Sequence, residues 1–580
     1  MRSIHLLKIA ATLVFAAACF LYSSSANGQT CATPQVRVYA NTQQNNTGTL
    51  SSVSNASLAV DTDPSTASTL TRTLDVLGIL FPSTLTQFLN FSSTVPAGTA
   101  VTIKLKSASG LVGLLNTITI QPYTSLQKVG GTWQATNAGQ SFSGTSLLGA
   151  VNSGGEIELT ITPQSAAGVT VPYDGVSISL GGGITLDQNV NVYGAYYTKN
   201  VTNGTTTTCS TPVDVLSGIR DGGLPLGISL LNVTTSVTNP RNAIDGDATT
   251  FADLTVDLTA AQSEAYHTTV FGAPSQKGDM LKLILQNSTG SLLNLNLLDG
   301  FSIQLYNGSQ AVGSPITSSS TFLSLSLFSS ATNNDKYELD ITPPDSYGAF
   351  DRVEVSIGGV STTTLGRNEL KIYEVSRTMR TPAITIGSVV TNTGTVCAGS
   401  TSTLTVNNAQ DCTNYTWYDA ATGGNVKGTG TSFTPNAADL SEVNPNNYYV
   451  EASRSGCSEV STRTKATINV NPRPSIVTST IPGICGGTAV TTLSYSTPVN
   501  SPTSYTITWD ATAHTAGFAD QTDQGLPPSP LSIPVPTTAA AGTYNGTLTV
   551  KNANGCVSQT QPVSITVIAT PAQPTIATTP

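Results

Sequence analysis

Two pairs of aspartates offer the best case for chemistry in this chain. Asp61-Thr-Asp63 and Asp245-Gly-Asp247 each place two carboxylates one residue apart in a stretch rich in Gly, Ser and Thr. Such loops supply the hard oxygen ligands calcium takes, with backbone carbonyls completing the shell. The same spacing fits a tight turn in which each aspartate caps its own backbone. An ion bound there would stabilise a loop rather than carry out a reaction.

Catalytic alternatives are argued down by inventory. Past the opening segment only His267 and His514 remain, in two dissimilar regions. A Ser-His-Asp or Cys-His arrangement would have to be assembled between modules, and no HExxH, GxSxG or phosphate-loop pattern is present. Both histidines read as surface or strand residues. Glycoside hydrolysis needs two carboxylates facing across a cleft; the 33 acidic residues are numerous enough, but Trp133, Trp417 and Trp509 are too dispersed to line one cleft. Asp174 and Asp351 precede strands at equivalent places and read as turn residues, with Asp351-Arg352 a weak exposed ion pair.

Of eight cysteines, Cys19 lies in the opening segment, leaving Cys31, Cys209, Cys397, Cys412, Cys457, Cys485 and Cys556. In an exported chain these suggest disulfides rather than metal ligands, with at least one thiol free or bonded elsewhere. A cysteine before an early strand and another in a late Gly-Cys turn recur in the last two modules. That parallel favours Cys397 with Cys457 and Cys485 with Cys556. Sandwich topology offers Cys412 with Cys457 as a competitor, while Cys31 and Cys209, at equivalent repeat starts, either pair or remain separate. Spacing does not decide the connectivity.

The elements that must position these groups are strands. Arg2 and Lys8, an apolar run from Ile9 to Tyr22 and small residues up to Gly28 read as an export signal over residues 1–28. The run is too short to span a bilayer comfortably, and no later stretch is long enough. The 580 residues suggest roughly three to five domains. Charged residues make up 10% of the chain, well under the usual value of about 25%. Net charge is −9, and no basic cluster offers a face for nucleic acid or anionic membrane.

A duplication is the most informative internal feature. Cys31-Ala-Thr-Pro34 recurs as Cys209-Ser-Thr-Pro212, Ala59-Val-Asp61-Thr-Asp63 as Ala243-Ile-Asp245-Gly-Asp247, Val101/Ile103/Leu105 as Leu281/Leu283/Leu285, and Glu158-Leu-Thr-Ile-Thr-Pro163 as Glu338-Leu-Asp-Ile-Thr-Pro343. Tyr173-Asp-Gly-Val176 with Gly181-Gly182 matches Phe350-Asp-Arg-Val353 with Gly358-Gly359. Short β-branched runs with period-two alternation make residues 29–205 and 206–380 two β-sandwich repeats, jelly-roll-like in type. The segment Asn242-Ala-Ile-Asp-Gly-Asp-Ala-Thr249 resembles the loop of discoidin-type and related galactose-binding-like modules.

After Arg377 the texture changes. Residues 381–472 carry Val396-Cys397-Ala-Gly, Tyr415-Thr-Trp417-Tyr418, Gly423-Gly424, Tyr448-Tyr449-Val-Glu-Ala452 and Gly456-Cys457. This pattern resembles the bacterial Ig-like domain of large exported Bacteroidetes proteins, with Trp417 as core plug. Residues 473–568, with Ile484-Cys485-Gly-Gly, Thr506-Ile-Thr-Trp509, Gly542-Thr-Tyr544 and Asn554-Gly-Cys556, are similar to PKD-like or Ig-like modules. Residues 569–580 echo Thr381-Pro382-Ala-Ile384, so a further Ig-like repeat is expected beyond them.

The fold expected is therefore all-β, two jelly-roll-like sandwiches followed by two Ig-like or PKD-like ones, joined stiffly by short Thr-Pro linkers. The function expected is non-catalytic: an extracellular or cell-surface adhesin presenting binding domains on an Ig-like stalk, its ligand a glycan or a surface protein. The alternative is the carbohydrate-binding and spacer region of a larger polysaccharide-degrading enzyme. The family resemblance implies type IX export, with the outer-surface sorting machinery acting on a region beyond residue 580.

Overall fold

A computed structural model describes residues 34–73, 85–107, 118–144, 155–181, 188–201, 206–221, 235–257, 263–287, 301–317, 323–327, 336–344, 346–358 and 367–571. The opening segment through Gly28, Cys19, Cys31, Gly182, Gly359 and the end of the 569–580 stretch lie outside these residues. The regular secondary structure of the described chain is almost all strand, as the alternating patterns require. It divides into two compact units.

The first unit holds both copies of the duplication. In the first copy one sheet runs in the order Glu156–Ile161, Val101–Ser107, Gln188–Asn200, Ser68–Arg72, Ser51–Ser54. Its partner sheet runs Thr42–Asn46, Leu85–Val95, Tyr173–Leu180, Ile118–Val129, Thr132–Asn137. The second copy repeats both orders: Tyr337–Ile341, Met280–Asn287, Arg367–Thr378, Ala252–Asp257, Ser236–Thr238, and Pro212–Asp221, Ser263–Phe271, Arg352–Gly358, Ser302–Asn307, Gln310–Ile316. Alternate residues such as Val101, Ile103 and Leu105, or Leu281, Leu283 and Leu285, point inward and build one apolar core per copy. Even the irregularities coincide. The register of Gln188–Asn200 shifts between Val192 and Gly194, and that of Arg367–Thr378 at the equivalent step between Ile372 and Glu374. Each shift is a β-bulge, and the extra residues are Tyr193 and Tyr373.

The second unit holds the remaining two sandwiches, except that Gln410–Thr413 and Ser453–Ser461 belong to the first unit. In residues 381–472 one sheet is Val389–Val390, Ile384–Ile386, Leu404–Val406, Ser432–Phe433, and the other is Thr393–Cys397, Thr464–Asn471, Asn446–Ser453, Asn414–Tyr418, Val426–Thr429. Trp417 is fully buried as expected, its indole N–H donating to the Gly430 carbonyl at 3.1 Å. The last sandwich is built on Ile484–Cys485, Gln561–Ile568, Gly542–Asn552, Pro502–Trp509 and Gln521–Gly525, with a core around Trp509, Phe518 and Tyr544.

Strand direction corrects the expected disulfides. Cys209 bonds Cys457 and Cys397 bonds Cys556, while Cys485 is free and exposed. Cys412 is also disulfide-bonded. The expected pairs Cys397–Cys457 and Cys485–Cys556 fail for one reason. Cys397 lies beside Asn471, at the far end of a strand running parallel to its own, whereas Cys457 precedes the start of that strand. Eight residues at about 3.3 Å each put the two sulfurs at opposite ends of the sandwich. Cys485, paired with Ile568, and Cys556, which precedes Gln561, are separated in the same way.

Candidate functional site

The acidic loops fold as self-capped turns. In the first copy Asp61 Oδ1 accepts from the Asp63 amide (3.0 Å) and Asp61 Oδ2 from the Thr66 hydroxyl (2.7 Å), while Asp63 Oδ1 accepts from the Ser65 amide and hydroxyl (2.9 and 2.6 Å). The second copy repeats this with Asp245, Asp247, Thr249 and Thr250. These hydrogen bonds hold the Asp63 and Asp247 carboxyls below their ordinary range. Each loop also carries an internal cation. The buried Lys104 ammonium donates to the Pro64 carbonyl at 2.9 Å, and the buried Lys336 ammonium to the Ala248 carbonyl at 2.5 Å. Lys104 comes from within the strand Val101–Ser107 and Lys336 from just before Tyr337–Ile341, yet each sits over the ring of its copy's bulged tyrosine, Tyr193 at 5.0 Å and Tyr373 at 3.7 Å. Calcium takes six to eight oxygens. With the carboxylates turned inward and a carbonyl given to an ammonium, the donor set as folded falls short of that shell.

The copies differ in one ionisable group beside the loop. Glu374, where the first copy has Gly194, accepts from the Gly246 amide at 3.2 Å. Burial pushes its carboxyl up to about 7; the Gly246 hydrogen bond opposes this and the nearby Asp245 charge adds to it.

The largest ionic cluster among the described residues was not expected from the sequence. It lies where the two copies meet inside the first unit. Glu158 accepts from Tyr196 Oη (2.8 Å) and pairs with Arg352 of the second copy (2.7 Å) and with Arg37 (3.5 Å). Asp214 of the second copy pairs with Lys104 (2.8 Å), Arg241 (3.3 Å) and Arg37 (3.5 Å), and Lys104 also meets Glu156 at 3.1 Å. Burial would raise the Glu158 carboxyl, but the Arg352 and Arg37 guanidiniums and the Tyr196 hydroxyl bring it down to about 2. Arg352 does meet Asp351, at 3.5 Å as a weak pair, but the pair is not exposed, and the same guanidinium reaches Glu158 in this seam. Backbones touch there as well. A Cβ on Gly155 would fall 2.6 Å from Gly218 Cα, so neither glycine admits a side chain without displacement. The signal available in the sequence was that Lys104 and Glu158 sit inside strands of a chain otherwise poor in charge.

A second buried network surrounds the Cys209–Cys457 bond. Asp279 pairs with Arg454 through both guanidinium nitrogens (2.5 and 2.9 Å), and Arg377 donates to the carbonyls of Cys209, Ala273 and Phe350. Glu459 accepts from the amides of Cys209 and Ser210 at 2.9 and 2.8 Å. Cys209, Cys457 and Glu459 are close enough to suggest metal ligands, but the sulfurs are consumed in the disulfide.

Each histidine is engaged within its own sandwich. His267 is fully buried with Nε2 at 2.8 Å from the Pro240 carbonyl, and burial pulls it down to about 4. His514 is exposed and pairs with Asp520 at 2.9 Å. Asp351 precedes the strand Arg352–Gly358 as expected and accepts from the Gly308 amide of another loop at 2.8 Å, whereas Asp174 lies inside the strand Tyr173–Leu180 rather than before it. No helix among the described residues is long and apolar enough to cross a membrane.

Residues 385–472 match the family described as the CHU_C-associated Ig-like domain. No curated protein matches the chain. Among solved structures, the fibronectin(III)-like modules of Clostridium thermocellum CbhA are 15% identical over 32% of this chain and 94% of theirs, with a TM-score of 0.20. The adhesin domain of Epf from Streptococcus pyogenes is 10% identical over 38% of this chain and 78% of its own, at 0.19. A 1.5-MDa bacterial ice-binding adhesin is 12% identical over 53% and 91%, at 0.20. Likenesses this low in TM-score identify no activity. The chain is a multidomain all-β protein containing an Ig-like module of the CHU_C-associated kind.

Proposed function

We infer that this is a non-catalytic adhesin-like or structural protein of the cell exterior, in which the duplicated sandwiches contact a ligand and the Ig-like sandwiches act as stalk. One observation carries the reading. Among the described residues, the clustered groups that could do chemistry hold sandwiches together: carboxylates serve turns and the copy seam, lysines serve loop carbonyls, and the sulfurs other than that of Cys485 are in disulfides. Disulfides of this kind accord with an oxidising compartment. Export by the type IX route, with sorting machinery as a partner, is part of the same reading.

The carbohydrate-binding alternative draws on the outer face of one sheet in the first copy. There Thr86, Ser179 and Thr119 form an uncharged, half-buried row of hydroxyl groups, with Thr86 and Ser179 hydrogen bonded at 2.8 Å. Such a row suits sugar hydroxyls. A glycan array probed with the mature chain, with and without chelator, tests both readings. Chelator-independent binding abolished by T86A/S179A places a glycan on that row; binding that needs calcium and is lost in D245N/D247N places it at the acidic loop. Silence on every glycan, with capture by a surface protein, leaves the adhesin reading; turnover of any glycan by the chain would sink it.

A further inference from the structure

Cys485 is exposed and free. Its counterpart one sandwich earlier, Cys397, is not. The equivalence is exact in backbone detail. Each cysteine ends a short strand that runs parallel to the last strand of its own sandwich, Cys397 opposite Asn471 and Cys485 opposite Ile568. The next amide returns to the residue opposite, Ala398 to the Asn471 carbonyl and Gly486 to the Ile568 carbonyl, both at 2.9 Å. The chain then turns through a hydrogen bond to the cysteine carbonyl, from Ser400 in one case and Thr488 in the other, with Gly399 and Gly487 both at positive φ.

The partner halves are equivalent too. Cys457 and Cys556 each follow a positive-φ glycine, Gly456 and Gly555, in the turn after the penultimate strand of their sandwich. In both cases this Gly-Cys turn is bonded to a cysteine at least 159 residues earlier: Cys457 to Cys209 in the second copy, and Cys556 to Cys397 in the Ig-like sandwich. Cys556 Sγ lies 3.8 Å from the Asn471 carbonyl, beside the residue opposite Cys397. The corresponding place on the last sandwich, beside Cys485 and the half-exposed Ile568, is where such a turn would seat.

We propose that Cys485 is the receiving half of a third staple of the same kind, bonded in the exported protein to the cysteine of a Gly-Cys turn in a following Ig-like module. Bond formation balances as two thiols losing two protons and two electrons to a disulfide oxidant, which leaves as a dithiol. The exchange passes through a mixed disulfide that the second thiolate resolves. This inference is independent of what the duplicated sandwiches bind.

The test is non-reducing peptide mapping of the protein as its producing cells export it, after free thiols are blocked with N-ethylmaleimide. The Cys485 peptide is expected unblocked and joined to a Gly-Cys peptide from outside residues 1–580, both released by reductant. Cys485 blocked by maleimide, joined to a second Cys485, or joined to any cysteine within these residues overturns the proposal. A second experiment appends a copy of residues 473–571 after Pro571. Cys485 is then expected to bond the added copy's Gly-Cys turn, and to regain full maleimide reactivity when that copy alone carries C556S. An added copy that is protease-resistant while Cys485 stays reactive overturns the proposal equally.

Discussion

At the scale of residues, Glu158 is the most consequential ionisable group. Its carboxyl is held at about 2 in the folded chain against a reference of 4.5, so its contribution is fully present above about pH 4.5 and is lost as pH falls through about 2. His267, held neutral at about 4 against 6.5, contributes stability above about pH 6.5 that is lost as pH falls towards 4. Each shift corresponds to roughly 3 kcal/mol. Acid unfolding followed by circular dichroism should therefore begin near pH 6 and steepen below 4.5. At neutral pH, E158Q takes the nearest anion from the buried Arg352, leaves Arg37 and Arg352 only the 3.5 Å ion pairs with Asp214 and Asp351, and should cost about 3–5 kcal/mol in urea unfolding. A loss below 1 kcal/mol would mean that water reaches the seam.

The acidic loops make a second residue-scale case. D247N removes a self-cap and should lower the Tm slightly, and thermal unfolding of the parent should be the same in calcium and in chelator because Lys336 already serves the loop. A calcium-dependent rise in Tm that D245N/D247N abolishes would put an ion there instead. The sequence showed the paired aspartates and left two outcomes open. It could not show the lysines, because Lys104 approaches its loop from within a strand and Lys336 from just before a different one, and neither shares a spacing with the aspartates.

At the scale of elements, cysteine pairing follows strand direction. Every segment of the Ig-like pattern was visible in the sequence, including Trp417 as core. What remained hidden was that Thr393–Cys397 runs parallel to the last strand, which moves Cys397 to the end away from Cys457. Alternation reports which face a residue occupies and is silent on which way the strand runs. Removing the bond between Cys397 and Cys556 with C397S/C556S should lower stability by about 2–4 kcal/mol, read as a Tm fall in the last two sandwiches. C485S should leave the Tm of the 580-residue chain unchanged. A destabilising C485S would mean that its thiol is paired within this chain.

At the scale of the whole molecule, the duplication was legible because the two copies keep the same segments in the same order. Their union in one compact unit was not, because the seam depends on long-range partners such as Lys104 with Asp214 and Gly155 against Gly218. Two copies joined by buried charges should unfold in one calorimetric transition. G155A, which forces the touching backbones apart, should split it into two.

The central claim is that sulfur and charge here fasten sandwiches to one another rather than act on a substrate. Pulling the oxidised mature chain from its ends measures this directly. The interleaved bonds Cys209–Cys457 and Cys397–Cys556 alone hide most of the residues between 209 and 556 from tension, and the Cys412 bond adds to this, so the fully extended length should be shorter than that of the reduced chain by at least roughly 900 Å, at about 3.4 Å per residue. Equal extended lengths with and without reductant would contradict the account.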